Sequence, residues 1–172
     1  MARNVEIKAR VADMAALAAR AAAIADSGPV EIPQDDTFFV APHGRLKLRV
    51  HADGHGELIA YRRADDGGPK VSTYLLSPTA SPDTLRDALT MSNGLQGRVV
   101  KQRTLFMVGR TRVHLDRVQG LGDFMELEVV LADGEDAEAG MREAHALMAR
   151  LGIAQDALVQ GAYHDLLRAI EA

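Results

Sequence analysis

Charged residues of one sign stand two positions apart in several segments of the chain. Among the pairs are Lys47 with Arg49, Lys101 with Arg103, Arg110 with Arg112, and Glu126 with Glu128. Lysine and arginine bind phosphate oxygens, whereas carboxylates bind hard divalent cations such as Mg²⁺ and Mn²⁺. Phosphoryl and nucleotidyl transfer need both sets of residues, because that chemistry depends on positioning and on the neutralisation of charge.

A spacing of two places both members of a pair on the same face of a β-strand. Glu6 and Lys8 follow the same spacing near the N-terminus, and the intervening residues of these segments are mostly apolar. An antiparallel sheet with one face in water produces the same alternation, so a solvated outer face is the simpler interpretation of any one strand. The sorting of the charges by sign favours a binding surface, but the residues alone leave open which face points inward.

The bulk composition is that of a globular protein. The chain has 172 residues, 47% hydrophobic and 26% charged, which predicts one domain over residues 1–172. It has no cysteine, which excludes disulfides and thiolate metal sites. The net charge of −4 and the aromatic content of 4% argue against a nucleic-acid partner. No apolar run approaches the roughly 20 residues of a membrane span, so a cytoplasmic protein without a membrane partner is expected.

Hydrophobic periodicity and turn residues predict eight strands and helices at three places along the chain. Strands are predicted over residues 3–10, 35–41, 45–51, 56–63, 71–77, 97–108, 110–118 and 122–132. Helices are predicted over residues 12–26, 81–92, 133–152 and 154–170. Short turns between neighbouring strands predict an α+β fold with an antiparallel sheet. Eight antiparallel strands can close into a barrel, which removes the exposed edges.

The segment "NVEIK" at residues 4–8 resembles the Glu-x-Glu-x-Lys signature of the CYTH superfamily, the triphosphate tunnel metalloenzymes. That superfamily includes class IV adenylate cyclases, thiamine triphosphatases and inorganic triphosphatases. Further similar segments follow in order along almost the whole chain, and "HLDRVQGLGDFMELE" at 114–128 is the most specific of them. The resemblance implies a tunnel-shaped, closed eight-stranded antiparallel β-barrel with flanking helices, in which the charged face points inward.

The resemblance also implies roles for individual residues. Glu6, Glu126 and Glu128 would hold Mg²⁺ or Mn²⁺. Lys8 would contact phosphates or assist proton transfer, and Asp116 would be an acid near the metal or the substrate. Phosphate contacts are expected from Lys47, Arg49, Arg62, Lys101, Arg103 and Arg112.

Several of these assignments leave alternatives open. Arg63 could replace Arg62 as the inward arginine of its strand. His114 is in phase with Asp116 and could line the tunnel mouth or be a structural histidine. Lys70 could reach the substrate or be a solvated loop lysine.

Two further segments have structural and functional interpretations. Tyr163 and His164 could belong to the core, or to a segment that closes the tunnel. The glycine-containing stretches at residues 53–56 and 65–68 are predicted to be turns.

One residue departs from the family signature, since Asn4 occupies the position of its first glutamate. A neutral amide brings no charge to a metal, so a weaker or altered second metal site is expected. The leading hypothesis is a metal-dependent phosphohydrolase acting on a nucleoside triphosphate, thiamine triphosphate or another polyphosphate. The alternatives are a class IV adenylate cyclase and a non-catalytic polyphosphate-binding module, and the resemblance leaves a homodimer open.

Overall fold

The computed structural model describes residues 1–63 and 69–172, so the turn predicted at 65–68 lies outside the described residues. The strands are β1 Ala2–Arg10, β2 Ser27–Phe39, β3 Arg45–His51, β4 Gly56–Arg63, β5 Lys70–Thr79, β6 Leu95–Val108, β7 Thr111–Val118 and β8 Gly122–Val130. The α-helices are α1 Met14–Ile24, α2 Pro82–Asn93, α3 Ala137–Arg150 and α4 Tyr163–Glu171. None of the helices in the described residues is long and apolar enough to cross a membrane.

The eight strands form a closed barrel in the order β1-β5-β4-β3-β2-β6-β7-β8, and every neighbouring pair is antiparallel. The predicted fold class is therefore confirmed. Gly44 and Gly109 lie in the β2–β3 and β6–β7 turns and have positive φ angles of 68° and 56°. Such backbone angles favour glycine, which is why these two residues were useful turn signals.

The strands place their apolar residues outside and their charged residues inside. Val5 and Ile7 of β1 are at most 1% exposed and pack beneath the helices, whereas Glu6 and Lys8 point into the barrel. Most of the hydrophobic core therefore lies between the outer surface of the barrel and the helices α1 and α3, and a second cluster around Tyr163 fills the end of the barrel next to α4. Asp13 caps α1 by accepting a hydrogen bond of 3.0 Å from the backbone amide of Ala16.

The predicted helix over 154–170 is wrong as one continuous element. A short 3₁₀ helix covers Gln155–Ala157, the chain then runs extended, and α4 begins only at Tyr163. Gly161 breaks the helix because its φ of 82° is incompatible with helical geometry. The break lets the Val159 amide donate to the Lys8 carbonyl at 3.0 Å, so the chain is tied to β1 before α4 covers one end of the barrel.

Gly140 permits the close packing of α3 on the barrel. A methyl group added at Gly140 would lie 2.7 Å from Leu131 Cδ2 and 2.9 Å from Val5 Cγ2. Gly140→Val should therefore lower the free energy of unfolding by about 1–3 kcal/mol through overpacking. Urea denaturation monitored by circular dichroism would measure the change.

Ala146→Val is the matched control, because Ala146 is exposed on the same helix. Its cost should stay within about 0.7 kcal/mol, the range of helix propensities. Equal losses in the two variants would contradict the assignment of close packing to Gly140.

Candidate active site

A cavity of about 340 Å³ occupies the interior of the barrel. Among the described residues, seven basic side chains and five carboxylates line it. The basic residues are Lys8, Lys47, Arg49, Arg63, Lys101, Arg103 and Arg112, and the acidic residues are Glu6, Asp36, Glu57, Glu126 and Glu128. Side-chain exposure rises from the end covered by α4 to the opposite end, which we call the mouth.

The mouth is marked by partly exposed side chains from several strands. His51 and Glu57 are 30% and 31% exposed, with His51 Nε2 at a hydrogen-bonding distance of 3.1 Å from Glu57 Oε2, and Arg112 is 42% exposed. Ile32 and Leu76 also line the cavity at this end. At the α4 end, by contrast, the lining residues Phe38, Val99 and Tyr163 are at most 4% exposed.

Asp36 of β2 holds one group of cations together. It accepts hydrogen bonds from Lys47 Nζ at 3.0 Å and from Arg49 Nε and Nη2 at 2.8 and 2.7 Å, and Lys101 Nζ lies 3.6 Å away. Burial alone would raise the pKa of Asp36, but Arg49, Lys47 and Lys101 hold it well below its usual range. The carboxylate therefore stays ionised and fixes three basic side chains at one wall of the cavity.

Asp116 of β7 plays the same part for Arg103 of β6. Arg103 donates to both Asp116 oxygens at 2.7 Å and to Glu126 at 2.8 Å. The Tyr163 hydroxyl donates to Asp116 at 2.7 Å. Asp116 is 0% exposed and lies behind Arg103 rather than on the cavity surface. This position suits an acid that orients Arg103, while the predicted role of Asp116 near the metal or the substrate stays a prediction.

Lys8 is enclosed between the barrel wall and the C-terminal segment. Its Nζ donates to the Gly161 carbonyl at 3.1 Å, lies 3.2 Å from Glu126, and stands 4.0 Å from the centre of the Tyr163 ring. Burial lowers the pKa of Lys8, although Glu126 opposes the shift. A lysine with a lowered pKa can exchange a proton more readily than one in water.

The acidic wall consists of side chains from β1, β7 and β8. Glu6 accepts a hydrogen bond of 2.6 Å from Arg63, and burial raises its pKa. Ligand atoms of His114, Glu126 and Glu128 all lie within 4.8 Å of one another. Burial lowers the pKa of His114 to about 4, so its imidazole is neutral at pH 7 and can donate a lone pair.

The donor set therefore fits a divalent cation. Carboxylate oxygens and a neutral imidazole are ordinary ligands of Mg²⁺, Mn²⁺ and related ions. The side-chain oxygen of Asn4 and Nδ1 of His114 are buried without a hydrogen-bond partner, and both residues line the cavity. Buried polar atoms without partners are costly, and a bound ion would satisfy such atoms.

The structure brings most of the predicted site residues into the cavity. Lys8, Lys47, Arg49, Lys101, Arg103, Arg112, Glu6, Glu126 and Glu128 line it. Arg62 is exposed and does not line the cavity, because Arg63, its neighbour on β4, takes the inward face. Lys70 lies opposite Glu6 in the β1–β5 register and is 5% exposed, so it is not a solvated loop lysine.

The sequence left open whether Tyr163 and His164 belong to the core or to a segment that closes the tunnel, and their positions have features of both. Tyr163 packs with Phe38, Val99, Val118 and Phe124 and also lines the cavity. His164 stacks on Phe38 with ring centres 4.1 Å apart. The neighbouring Asp165 accepts a hydrogen bond of 2.7 Å from Arg45 of β3, which ties α4 to the barrel rim.

Sequence reasoning missed Asp36, although a signal for it exists. Gln34, Asp36 and Phe38 alternate at period two along the segment that forms β2, and all three line the cavity. The basic strand β3 pairs with β2 directly, placing Arg49 opposite Asp36. Asp36 has Gln34 and Phe38 two positions away rather than a second acid, so it is not one of the like-charged pairs at that spacing.

A closed eight-stranded antiparallel barrel with a charged interior defines a class of tunnel proteins. The comparison with protein families places the chain within that class, because residues 2–163 match the CYTH domain. The chain belongs to the CYTH family. No curated protein matches the sequence.

Solved structures with the same fold come from archaea, bacteria and plants. The PH1012 protein from Pyrococcus horikoshii is 20% identical, with a TM-score of 0.84 over 95% of this chain and 99% of that one. A proposed adenylate cyclase from Vibrio parahaemolyticus is 23% identical, with a TM-score of 0.79 over 96% and 97%. A proposed adenylyl cyclase from Hippeastrum, described with a dominant triphosphatase activity, is 15% identical, with a TM-score of 0.68 over 96% and 95%. At these identities the likeness shows the fold.

Asp36→Asn should destabilise the free protein strongly. The substitution keeps the size of the side chain but leaves Lys47, Arg49 and Lys101 buried without their shared counter-charge. Breaking a buried ion pair in this way costs about 3–5 kcal/mol. Chemical denaturation at neutral pH would measure the loss.

Asp35→Asn provides the control on the adjacent residue. Asp35 pairs with Arg98, which is 64% exposed, and an exposed pair contributes less than about 1 kcal/mol. A cost at Asp36 no larger than the cost at Asp35 would refute the anchoring role of Asp36.

Proposed function

We propose that the protein is a metal-dependent phosphohydrolase that acts on a triphosphate or another organic polyphosphate inside the barrel. The observation that carries this proposal is the placement of two opposite charge sets in one cavity. Lys47, Arg49 and Lys101 cluster on one wall, and Glu126 and Glu128 stand on another. A polyanion bound together with a divalent cation would satisfy both walls at once.

The cavity residues have separable roles in this proposal. Lys47, Arg49 and Lys101 bind the phosphate oxygens, and Asp36 keeps them in position. Arg103 points its guanidinium toward the same phosphate groups, and Asp116 fixes the orientation of that guanidinium. Arg63 and Arg112 add positive charge nearer the acidic wall, where they already pair with Glu6 and Glu128 at 2.6 and 3.5 Å.

Glu6, Glu126 and Glu128 would hold Mg²⁺ or Mn²⁺. When bound, such an ion neutralises phosphate charge and lowers the pKa of a coordinated water, which makes the water a better nucleophile. Lys8 lies within 3.2 Å of Glu126 and has a lowered pKa, so it is placed to pass a proton at this wall. Burial beneath Tyr163 and Gly161 keeps bulk water away from its ammonium group.

Adenylate cyclisation is the second candidate, and the mouth of the cavity favours it. Ile32 and Leu76 line the cavity toward the mouth, where they offer an apolar surface to an organic group such as a nucleoside. In cyclisation, the ribose 3′-hydroxyl attacks the α-phosphorus of ATP, and pyrophosphate leaves. In hydrolysis, water attacks a phosphorus and orthophosphate or pyrophosphate leaves. The same cations could serve either reaction.

A substrate panel separates these reactions. The purified protein would be incubated with ATP, GTP, tripolyphosphate and thiamine triphosphate, with Mg²⁺ and Mn²⁺ in separate series, and the products identified by mass spectrometry. Orthophosphate release without a cyclic product supports the phosphohydrolase. Cyclic AMP with pyrophosphate would overturn it in favour of the cyclase. Binding without any product would overturn it in favour of a polyphosphate-binding module.

Glu128→Gln should abolish metal-dependent turnover, with a loss of at least about 100-fold, because it removes one charged ligand from the acidic wall. The fold should survive, since Glu128 makes only long contacts of 3.5 Å to Arg112 and 3.7 Å to His114. Steady-state assays and circular dichroism would report the two effects separately. Glu138→Gln is the control, because Glu138 is 74% exposed on α3. Retained activity in folded Glu128→Gln would remove Glu128 from the site.

Lys101 should make polyphosphate binding depend on pH. Burial, with Arg103 beside it, lowers the pKa of Lys101 to about 7. The other groups that face it are Asp36 of β2, Arg49 of β3, Asp116 of β7 and the Tyr163 ring of α4. Below this pKa the ammonium is charged and binds anions, and above it the amine is neutral. Affinity for tripolyphosphate should therefore fall as the pH is raised from about 6 to about 9.

Isothermal titration calorimetry across this pH range would measure the effect. Lys101→Arg retains its charge at every pH tested, so its affinity should fall less steeply than that of the wild type. The protonation of tripolyphosphate itself changes with pH identically in both experiments. The difference between the two proteins therefore isolates the contribution of the lysine. If affinity falls equally steeply with pH in the wild type and in Lys101→Arg, the Lys101 ammonium does not bind the anion.

A further inference from the structure

We infer that His114 is a direct ligand of the metal at the acidic wall, so that the site contains a nitrogen donor and favours later first-row ions such as Co²⁺ over Mg²⁺. This inference rests on the proposed function only in assuming that the cavity binds a divalent metal. It adds a residue of β7 to the carboxylates of β1 and β8. It also specifies which metals the site prefers.

The position of His114 is compatible with ligation. It lies directly opposite Glu126 in the β7–β8 register. Its Nδ1 is 3.7 Å from Glu128 Oε1, and the ligand atoms of His114, Glu126 and Glu128 all lie within 4.8 Å of one another. Ligands that are each about 2.1 Å from one ion stand about 3–4 Å apart, so these atoms need only small shifts to share an ion.

The hydrogen bonding of His114 also supports its role as a metal ligand. The side chain is 6% exposed and lines the cavity, yet its Nδ1 has no hydrogen-bond partner. A histidine buried for structural reasons usually has its ring nitrogens bonded, because an unsatisfied buried polar atom costs about 1–3 kcal/mol. A metal ion would accept the lone pair of Nδ1 and so satisfy this buried nitrogen.

Asn4 gives this nitrogen ligand a chemical consequence. It is 4% exposed, it lines the cavity, and its side-chain oxygen is also unpartnered. Asn4 adds no charge to the wall, so the metal would meet a donor set less anionic than a purely carboxylate one. Imidazole nitrogen binds Mg²⁺ poorly and binds later first-row ions well, so His114 should shift the preference of the site toward those ions.

The test uses Mn²⁺ itself as the probe of the wild-type protein, with and without tripolyphosphate. Electron paramagnetic resonance would measure Mn²⁺ binding, and electron spin echo envelope modulation would detect nitrogen bound to the ion. Protein labelled with ¹⁵N only in histidine shows whether an imidazole is a ligand, because the ¹⁴N modulation is then replaced by a ¹⁵N pattern, and loss of that pattern in His114→Gln separates His114 from His51, which also lines the cavity. This measurement needs no variant and does not depend on turnover.

His114→Gln and His145→Gln form a matched pair for the selectivity. His145 is exposed on α3, so its variant controls for the loss of a histidine elsewhere. The ratio of Co²⁺ to Mg²⁺ affinity should fall about tenfold or more in His114→Gln and stay unchanged in His145→Gln. Calorimetric titration of each metal into each protein gives the ratio.

The outcomes of this test distinguish a failure of the His114 inference from a failure of the proposed function. A histidine ¹⁵N pattern on bound Mn²⁺ supports the inference. Mn²⁺ bound without a nitrogen coupling overturns it and leaves the metal-dependent phosphohydrolase intact, with carboxylates alone as ligands. No Mn²⁺ binding under either condition overturns both the inference and the metal dependence on which it rests.

Discussion

The repulsion among buried cations is the constraint on which the barrel interior depends. Lys47, Arg49 and Lys101 share a cavity of about 340 Å³ with Arg103. Removing such groups from water is costly, and placing them side by side adds repulsion. Buried carboxylates offset this cost from behind the cations, at Asp36 for the β3 side and at Asp116 for Arg103. The interior is therefore stable enough to fold and still carries positive charge toward a ligand.

This constraint explains why most of the hydrophobic core lies outside the barrel. Apart from the apolar cluster around Tyr163 at the α4 end, the inner faces of the strands are mostly polar, so most apolar side chains are buried on the outer face. Helices α1 and α3 cover that face, and Gly140 brings α3 within contact distance of Val5 and Leu131. The helices thus contribute to function indirectly, because they provide the apolar burial that the interior cannot.

The sequence predicted the barrel well, since alternation at period two and glycine turns are local signals. It predicted charged pairs on the inner face through the resemblance, because alternation alone does not distinguish inside from outside. It did not distinguish Arg62 from Arg63, since adjacent arginines differ only by register, and register depends on pairing with β3 and β5. It also missed the break at Gly161 and the anchoring position of Asp116, which depend on contacts between residues distant in the chain.

The helix α4 determines from which end a ligand can enter and leave the cavity. Tyr163 forms part of the floor of the cavity, and the Arg45–Asp165 pair fastens that floor to the rim. In the part of the chain that the structure describes, the cavity is therefore a pit reached from the mouth. If the phosphate chain points toward the basic residues near the floor, a terminal phosphate cleaved there lies beneath the remainder of the substrate. Under the proposed hydrolysis, the organic product would therefore depart first and the small anion last.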